Sequence, residues 1–257
     1  AMQWAVDRAQ EHTLGAVAVH NSSHIGRLGD FPPLAAAQDC IGVLMLNGGA
    51  PFTAPFGGTG RRLPPNPIAV SVPTPSGEPM VLDMTTSMAA GGKVSVYAAR
   101  GQRVPDGWLV DAAGNPVTDP ARFFGEDPVA MLPMGGSVGY KGYGLAMMVE
   151  AIAGGLSWAG CTTAAPTRGG CGYLALAVKI DSFIDPDEYK NEIGMLIDWV
   201  KSSPHMPGQE RIYYPGEIEA ETRNQRVKDG VFIEDATWRA ICASAESVNV
   251  EAPELAS

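Results

Sequence analysis

Apolar residues change their spacing along this chain, and each change marks an element. Trp4, Ala5, Val6 and Ala9 fall at near-helical intervals, predicting a short helix over Met2 to Glu11 that Gly15 closes as a C-terminal cap. Ala16-Val17-Ala18-Val19 is a brief apolar run, read as a buried strand that delivers the polar loop His20-Asn21-Ser22-Ser23-His24. The alanine-rich stretch Pro32 to Asp39 predicts a helix, and Ile41 to Leu46 a second buried strand. Glycine and proline crowd the segment from Asn47 to Pro67, which predicts a long structured loop. Ile68 to Pro73 and Met80 to Met84 read as two adjacent strands around the turn Thr74-Pro75-Ser76-Gly77.

Farther on, small residues from Thr86 to Arg100 predict a helix capped near Thr85-Thr86-Ser87, followed by a loop from Val104 to Pro133. From Lys141, apolar residues return at helical spacing, with Leu145, Met148, Val149, Ile152 and Leu156 on one face of a central helix. Tyr173 to Ile180 reads as a buried strand and Asp187 to Ser202 as an amphipathic helix. A turn carrying Tyr213-Tyr214-Pro215-Gly216-Glu217 comes next, then a surface helix, a short strand at Val231-Phe232-Ile233 and a last helix. Strands and helices alternate irregularly, and no strand is followed by G-x-G-x-x-G, so the class is α/β but not Rossmann.

Composition narrows the function. A net charge of -10 opposes binding to phosphate backbones, so no nucleic-acid partner is expected. No stretch approaches the roughly 18 apolar residues of a membrane span, and the start lacks the pattern of a secretory signal; a cytoplasmic protein is the expectation. The four cysteines, Cys40, Cys161, Cys171 and Cys242, form no C-x-x-C pair and are read as free thiols with no metal site, a Cys161–Cys171 loop disulfide being the lesser alternative.

Three clusters carry candidate chemistry. His24 sits at a strand end beside hydroxyls and Gly26, where an imidazole can accept a hydroxyl proton, although a loop histidine bonded to backbone is the plainer reading. Asp83-Met84-Thr85-Thr86-Ser87, followed by Gly91-Gly92-Lys93, places a carboxylate and hydroxyls before a helix N-terminus, which favours anionic groups; an ordinary capped helix is the alternative. Lys141, between Tyr140 and Gly142-Tyr143-Gly144, presents a point charge without forming a Walker A loop, and Arg168 before Gly169-Gly170 offers a bidentate clamp for a carboxylate or simply a surface cation.

The order of these clusters, joined by Pro55-Phe56-Gly57-Gly58, Asn66-Pro67-Ile68-Ala69, Pro105-Asp106-Gly107-Trp108 and Tyr213-Tyr214-Pro215-Gly216-Glu217, resembles the malate/L-lactate dehydrogenase type 2 family over nearly the whole chain. The resemblance implies that family's own non-Rossmann NAD(P)-binding mixed sheet with surrounding helices. It implies an NAD(P)-binding domain over residues 31–189, with 1–30 and 190–257 as the remnant of a helical substrate and dimerisation domain. It implies a homodimer that moves a hydride between NAD or NADP and a 2-hydroxy acid/2-oxo acid pair of the malate or L-lactate type. By the same resemblance His24 is the catalytic proton acceptor, Asn47, Asp83, Met84, Thr85, Lys93, Lys141, Gly216 and Glu217 contact the cofactor, and Arg168 holds the substrate.

Two departures from the family pattern stand out. The usual Gly-Thr-Asn-Pro turn is Pro64-Pro65-Asn66-Pro67 here, which removes backbone N–H groups from the loop. The family's N-terminal segment, with its Ser-His-Gly motif and an arginine near the substrate, is expected to be missing before Met2. The alternative function is therefore a catalytically impaired homologue that binds a dinucleotide or pairs with a full-length subunit; an adhesive or scaffolding protein is the reading from a different class.

Overall fold

The computed structural model describes residues 1–126, 129–166 and 168–252, and its layering follows from a row of small side chains. Strands β1 (Leu14–Ser22), β2 (Cys40–Asn47), β3 (Ile68–Val72), β4 (Met80–Met84) and β8 (Cys171–Lys179) form one sheet in the order β1-β8-β2-β3-β4. In its register Gly15 faces Ala177, and Ala177 faces Gly42. Directly opposed residues share a face, so this row makes a shallow trough. Helix α1 (Met2–His12) lies in it with Met2, Ala5, Val6 and Ala9 inward. A Cβ on Gly15 would stand 1.8 Å from the Ala5 carbonyl oxygen, and one on Gly42 would stand 2.6 Å from the Pro32 carbonyl oxygen beside α2 (Pro33–Ala36).

Gly15 is thus a packing residue inside β1 rather than a helix cap; α1 ends at His12, and Thr13 takes φ 74°. On the opposite face, helix α4 (Tyr140–Val149) continues into a π-helical segment, Glu150–Gly155, packed on β2 and β8. A Cβ on Gly172 would stand 2.7 Å from the Ala153 carbonyl oxygen. The buried stripe here is Gly142, Ala146, Val149 and Ala153. The stripe predicted from apolar spacing is off by about one position: Val149 is buried, but Met148 and Leu156 are exposed. Close helix–sheet contact selects small residues at the seam, and those carry little hydrophobic signal.

Every ladder between named strands is antiparallel. The expected α/β, non-Rossmann class holds, while among the described residues the parallel component is the isolated bridge between Thr53 and Met131. The stretch expected as a loop, Val104 to Pro133, contains a three-stranded sheet of β5 (Leu109–Val110), β6 (Pro116–Val117) and β7 (Ala130–Met131). Its core of Val104, Leu109, Val117, Phe123, Val129 and Met131 packs with Val94 of α3 (Gly91–Ala99).

Helix α3 begins five residues later than expected. Thr86 donates its N–H and its hydroxyl to the Pro65 carbonyl, Met88 donates to Leu132, and Ser87 bridges Pro133, so residues 86–88 are held extended by tertiary partners. Helix α5 (Pro186–Lys201) starts on its sequence signals: Asp185 accepts from the N–H groups of Asp187 and Glu188, and Pro186 occupies the first turn.

The chain divides into a unit Ala1–Gly216 and a second from Glu217 onward. The second unit comprises α6 (Glu217–Asp229) and α7 (Asp235–Ser247). The strand expected at Val231-Phe232-Ile233 is absent; these residues connect the two helices without regular structure. The described residues of the second unit contain no other strand to pair with this short run, and a lone strand leaves its backbone groups unsatisfied.

Candidate functional site

Antiparallel pairing brings the ends of five strands to one edge of the sheet. Ser22 faces Cys171, Asn47 faces Gly172, and Ile68 faces Met84. The loops that leave these ends therefore gather in one place, and a cavity of about 400 Å³ opens among them. That volume lies within the range of small-molecule sites. His24, Arg27, Asp83, Thr85, Gly91 and Gly92 line it. Asp83 and Thr85 are two residues apart, so both face the cavity, while Met84 between them does not line it.

His24 is exposed, and its Nδ1 accepts the N–H of Gly26 at 3.1 Å. Gly26 takes φ 81°, a left-handed conformation that glycine adopts without strain. Asp83 Oδ2 accepts the Gly29 N–H at 2.9 Å and lies 3.5 Å from Arg27 Nε. Helix α3 presents Gly91 and Gly92 at its N-terminus, with no side chain capping it from Ala90. Its unpaired N–H groups and dipole face the cavity and favour an anion there. Lys93, one residue on, is exposed.

A second cavity, of about 550 Å³, shares Gly48 and Gly49 with the first. Arg168 lines it, with its guanidinium 4.4 Å from the centre of the Trp158 ring, and His20 meets the same ring edge-on. His20 belongs to β1, which runs longer than its apolar run because β8 pairs with it as far as Ser22. Arg168 is therefore not brought into the cavity of His24.

Asn47 also lines the second cavity, but its side chain is committed inward. Its Oδ1 accepts the Gly172 N–H at 3.0 Å, and its Nδ2 donates to Gly160 at 3.1 Å and to Glu150 Oε1 at 3.3 Å. Glu150, 4% exposed, also receives Asn66 Nδ2 at 2.6 Å and the Thr162 N–H. Asn66 donates further to the Ala146 carbonyl at 3.1 Å, which anchors the Pro64-Pro65-Asn66-Pro67 turn onto α4. One buried carboxylate thus binds a strand end, a turn and the loop after the π segment.

Of the remaining expected positions, Lys141 is exposed in the first turn of α4 and lines neither cavity. Gly216 takes φ 90° and is pressed against β4, where a Cβ would stand 2.9 Å from the Val81 nitrogen; Pro215 accepts the Val81 N–H. Glu217 opens α6 of the second unit. Sequence reading passed over Arg27, although it stands three residues from His24 in the same loop, and over Gly48, where a Cβ would stand 2.3 Å from Cys171 Sγ. Among the described residues no cluster of three or more His, Cys, Asp or Glu could hold a metal ion, and no helix is long and apolar enough to cross a membrane.

Comparison with known proteins agrees with this architecture. The chain is 38% identical to an L-lactate dehydrogenase of Cupriavidus necator, over 98% of its own length and 73% of the relative's. It is 35% identical to a malate dehydrogenase of Pyrococcus horikoshii, over 98% of its length and 71% of the relative's. Its fold superposes on the structure of a putative malate/lactate dehydrogenase from E. coli with a TM-score of 0.88 and 34% identity, covering 99% of this chain and 71% of that one. Residues 1–242 match the family described as malate/L-lactate dehydrogenase, and the chain belongs to that family.

Proposed function

We propose that this chain is an oxidoreductase that interconverts a 2-hydroxy acid and its 2-oxo acid with a nicotinamide dinucleotide, and that the cavity of His24 is where it does so. The observation that carries the reading is the joint placement of an imidazole, a carboxylate, a hydroxyl and an open helix N-terminus in one cavity. That set fits the cofactor. Asp83 and Thr85 supply an acceptor and a hydroxyl for polar edges of a nucleotide, Gly91 and Gly92 supply uncapped N–H groups for its phosphates, and Lys93 adds a nearby cation. When bound, the cofactor supplies or takes the hydride.

The chain's own part is to orient the acid and move a proton. In the arrangement seen, Nδ1 of His24 accepts from Gly26, so the neutral ring carries its proton on Nε2 and offers a donor to a 2-oxo group. For the oxidation direction the tautomer must switch: the ring proton sits on Nδ1, the Gly26 bond is given up, and the same Nε2 is bare and takes the hydroxyl proton. The imidazolium returns that proton in reduction. The names of the relatives favour malate or L-lactate as the 2-hydroxy acid. A homodimer is part of the same reading, with the outward apolar residues of α5, Met195 and Trp199, as the face a second copy covers.

Titration with NADH and NADPH, followed by nicotinamide fluorescence, tests the cofactor assignment, and adding pyruvate or oxaloacetate to the same sample tests turnover. His24→Ala is expected to keep dinucleotide affinity and lose roughly 10²–10⁴-fold in kcat. Full activity in that variant, or no binding of either nucleotide, refutes the reading. Sedimentation equilibrium decides the dimer.

A further inference from the structure

The residue after His24 faces two spaces. Ile25 lines the cavity of His24, and it also lines a third cavity of about 200 Å³. Met2, Phe31, Leu44 and Tyr173 form the rest of that third cavity, together with Ala1. The sheet shows that the two spaces adjoin. Leu44 and Leu46 are two residues apart on β2, so they face the same side about 7 Å apart. Leu46 lines the cavity of His24, and Leu44 lines the third. Across the ladder between β2 and β8, Leu46 stands directly opposite Tyr173, which again belongs to the third cavity. Ile25 is the wall they share; it is half-buried and packs against the same core as Phe31 and Tyr173.

A 2-hydroxy acid carries its side chain on the carbon that reacts. Neighbouring α-carbons are about 3.8 Å apart, so a molecule whose oxygen is held by His24 brings that side chain within a few bonds of the wall at Ile25. The chemistry of this wall discriminates between side chains. An alkyl group gains by leaving water against Ile25, Leu28 and Leu46. A second carboxylate there would be desolvated against apolar carbon and would meet the like charge of Asp83 in the same cavity.

We propose that Ile25 sets the length of the side chain the site accepts, so that the chain acts on 2-hydroxy acids with a short apolar side chain, and that the third cavity is an apolar annexe closed off by this one residue. Trimming Ile25 joins the annexe to the site and admits branched or longer alkyl chains. This inference rests on the oxidoreductase reading above and adds the size and polarity of its substrate.

The test measures kcat/KM for pyruvate, 4-methyl-2-oxopentanoate and oxaloacetate, with NADH or NADPH as fits the chain, in wild type, Ile25→Ala and Ile25→Ala with Phe31→Trp. The wild type is expected to prefer pyruvate to 4-methyl-2-oxopentanoate. Ile25→Ala is expected to raise the ratio of 4-methyl-2-oxopentanoate to pyruvate by roughly 10-fold or more, with the KM for the nucleotide unchanged and no matching gain for oxaloacetate. Phe31→Trp refills the annexe and is expected to withdraw that gain. A general loosening of the fold would help all three acids alike and would not respond to the refilling. If Ile25→Ala is unstable, Ile25→Val serves in its place, with a gain in the same direction and of roughly 3-fold.

An unchanged ratio in a folded variant that binds nucleotide overturns the proposal, as does an equal gain for oxaloacetate or a wild type that already prefers the branched acid. A wild type that binds no nucleotide, or that reduces none of the three acids, is a separate outcome that removes the underlying reading.

Discussion

Replacing Glu150 by leucine should destabilise the first unit severely, even though leucine fills a similar volume. Glu150 accepts hydrogen bonds from Asn47 Nδ2, Asn66 Nδ2 and the Thr162 N–H. Each asparagine nitrogen has a second partner, Gly160 or Ala146, so the substitution leaves one N–H of each amide without an acceptor in a buried site. An orphaned buried donor costs about 1–3 kcal/mol, and more when the lost acceptor was ionised. The Thr162 N–H is only partly buried and recovers some loss from water. Offsetting this, the variant no longer desolvates a carboxylate. The net expectation is about 3–5 kcal/mol, set against a total stability of about 5–15 kcal/mol for a typical domain. Urea unfolding of the purified variant measures it as a lower midpoint at constant slope. A leucine variant within about 1 kcal/mol of wild type would mean that the buried network contributes little net stability, and the reasoning would fail.

Three further outcomes are expected. Gly15→Ala forces α1 off the sheet because its methyl would overlap the Ala5 carbonyl; the cost should reach about 3 kcal/mol, read as a fall in Tm of roughly 6–12 °C. Lys190 binds Asp39 at 2.8 Å, and that bond holds its pKa above the ordinary lysine value. Its contribution should be fully present below the unfolded lysine pKa and vanish as pH rises through the higher folded one, so the Tm difference between wild type and Lys190→Met should persist at neutral pH and close as the pH is raised beyond the ordinary lysine range. Cys161 is exposed, whereas Cys40 is buried and burial raises its thiol pKa; brief alkylation followed by mass mapping should label Cys161 first, and equal labelling of Cys40 would contradict the packing of α1 on the sheet.

Much of the fold was readable where one period governs a segment. The strands Ile41 to Leu46 and Met80 to Met84 and the helix after Asp185 carry their own signals, and all three exist close to their expected bounds. Legibility fails where a partner distant in sequence decides. Thr86 to Met88 would cap a helix in isolation, but Pro65 and Leu132 take their hydrogen bonds. Strands of two residues, such as Leu109–Val110, are too short for any period to show. In the site, the family resemblance grouped Asp83, Met84 and Thr85 as cofactor contacts, whereas local strand alternation puts Asp83 and Thr85 in the cavity and Met84 outside its lining. Whether Arg168 or Arg27 shares the cavity of His24 depends on how two loops fold around Gly48 and Gly49, and no spacing rule reports that. Asn47 shows the same limit from the other side: its position at a strand end was legible, but its commitment to Glu150, 103 residues away, was not.

The order β1-β8-β2 has a consequence for how the chain is made. The strand between β1 and β2 is the last of the five to be synthesised, and both of its neighbours lie before residue 48. Until residues 171–179 leave the ribosome, β1 and β2 have no partner between them, and the trough that receives α1 lacks Ala177. Closing the sheet is a single insertion across more than a hundred residues of intervening chain. That step raises contact order and slows folding, and it leaves two unpaired strand edges exposed during translation, when association with other nascent chains competes.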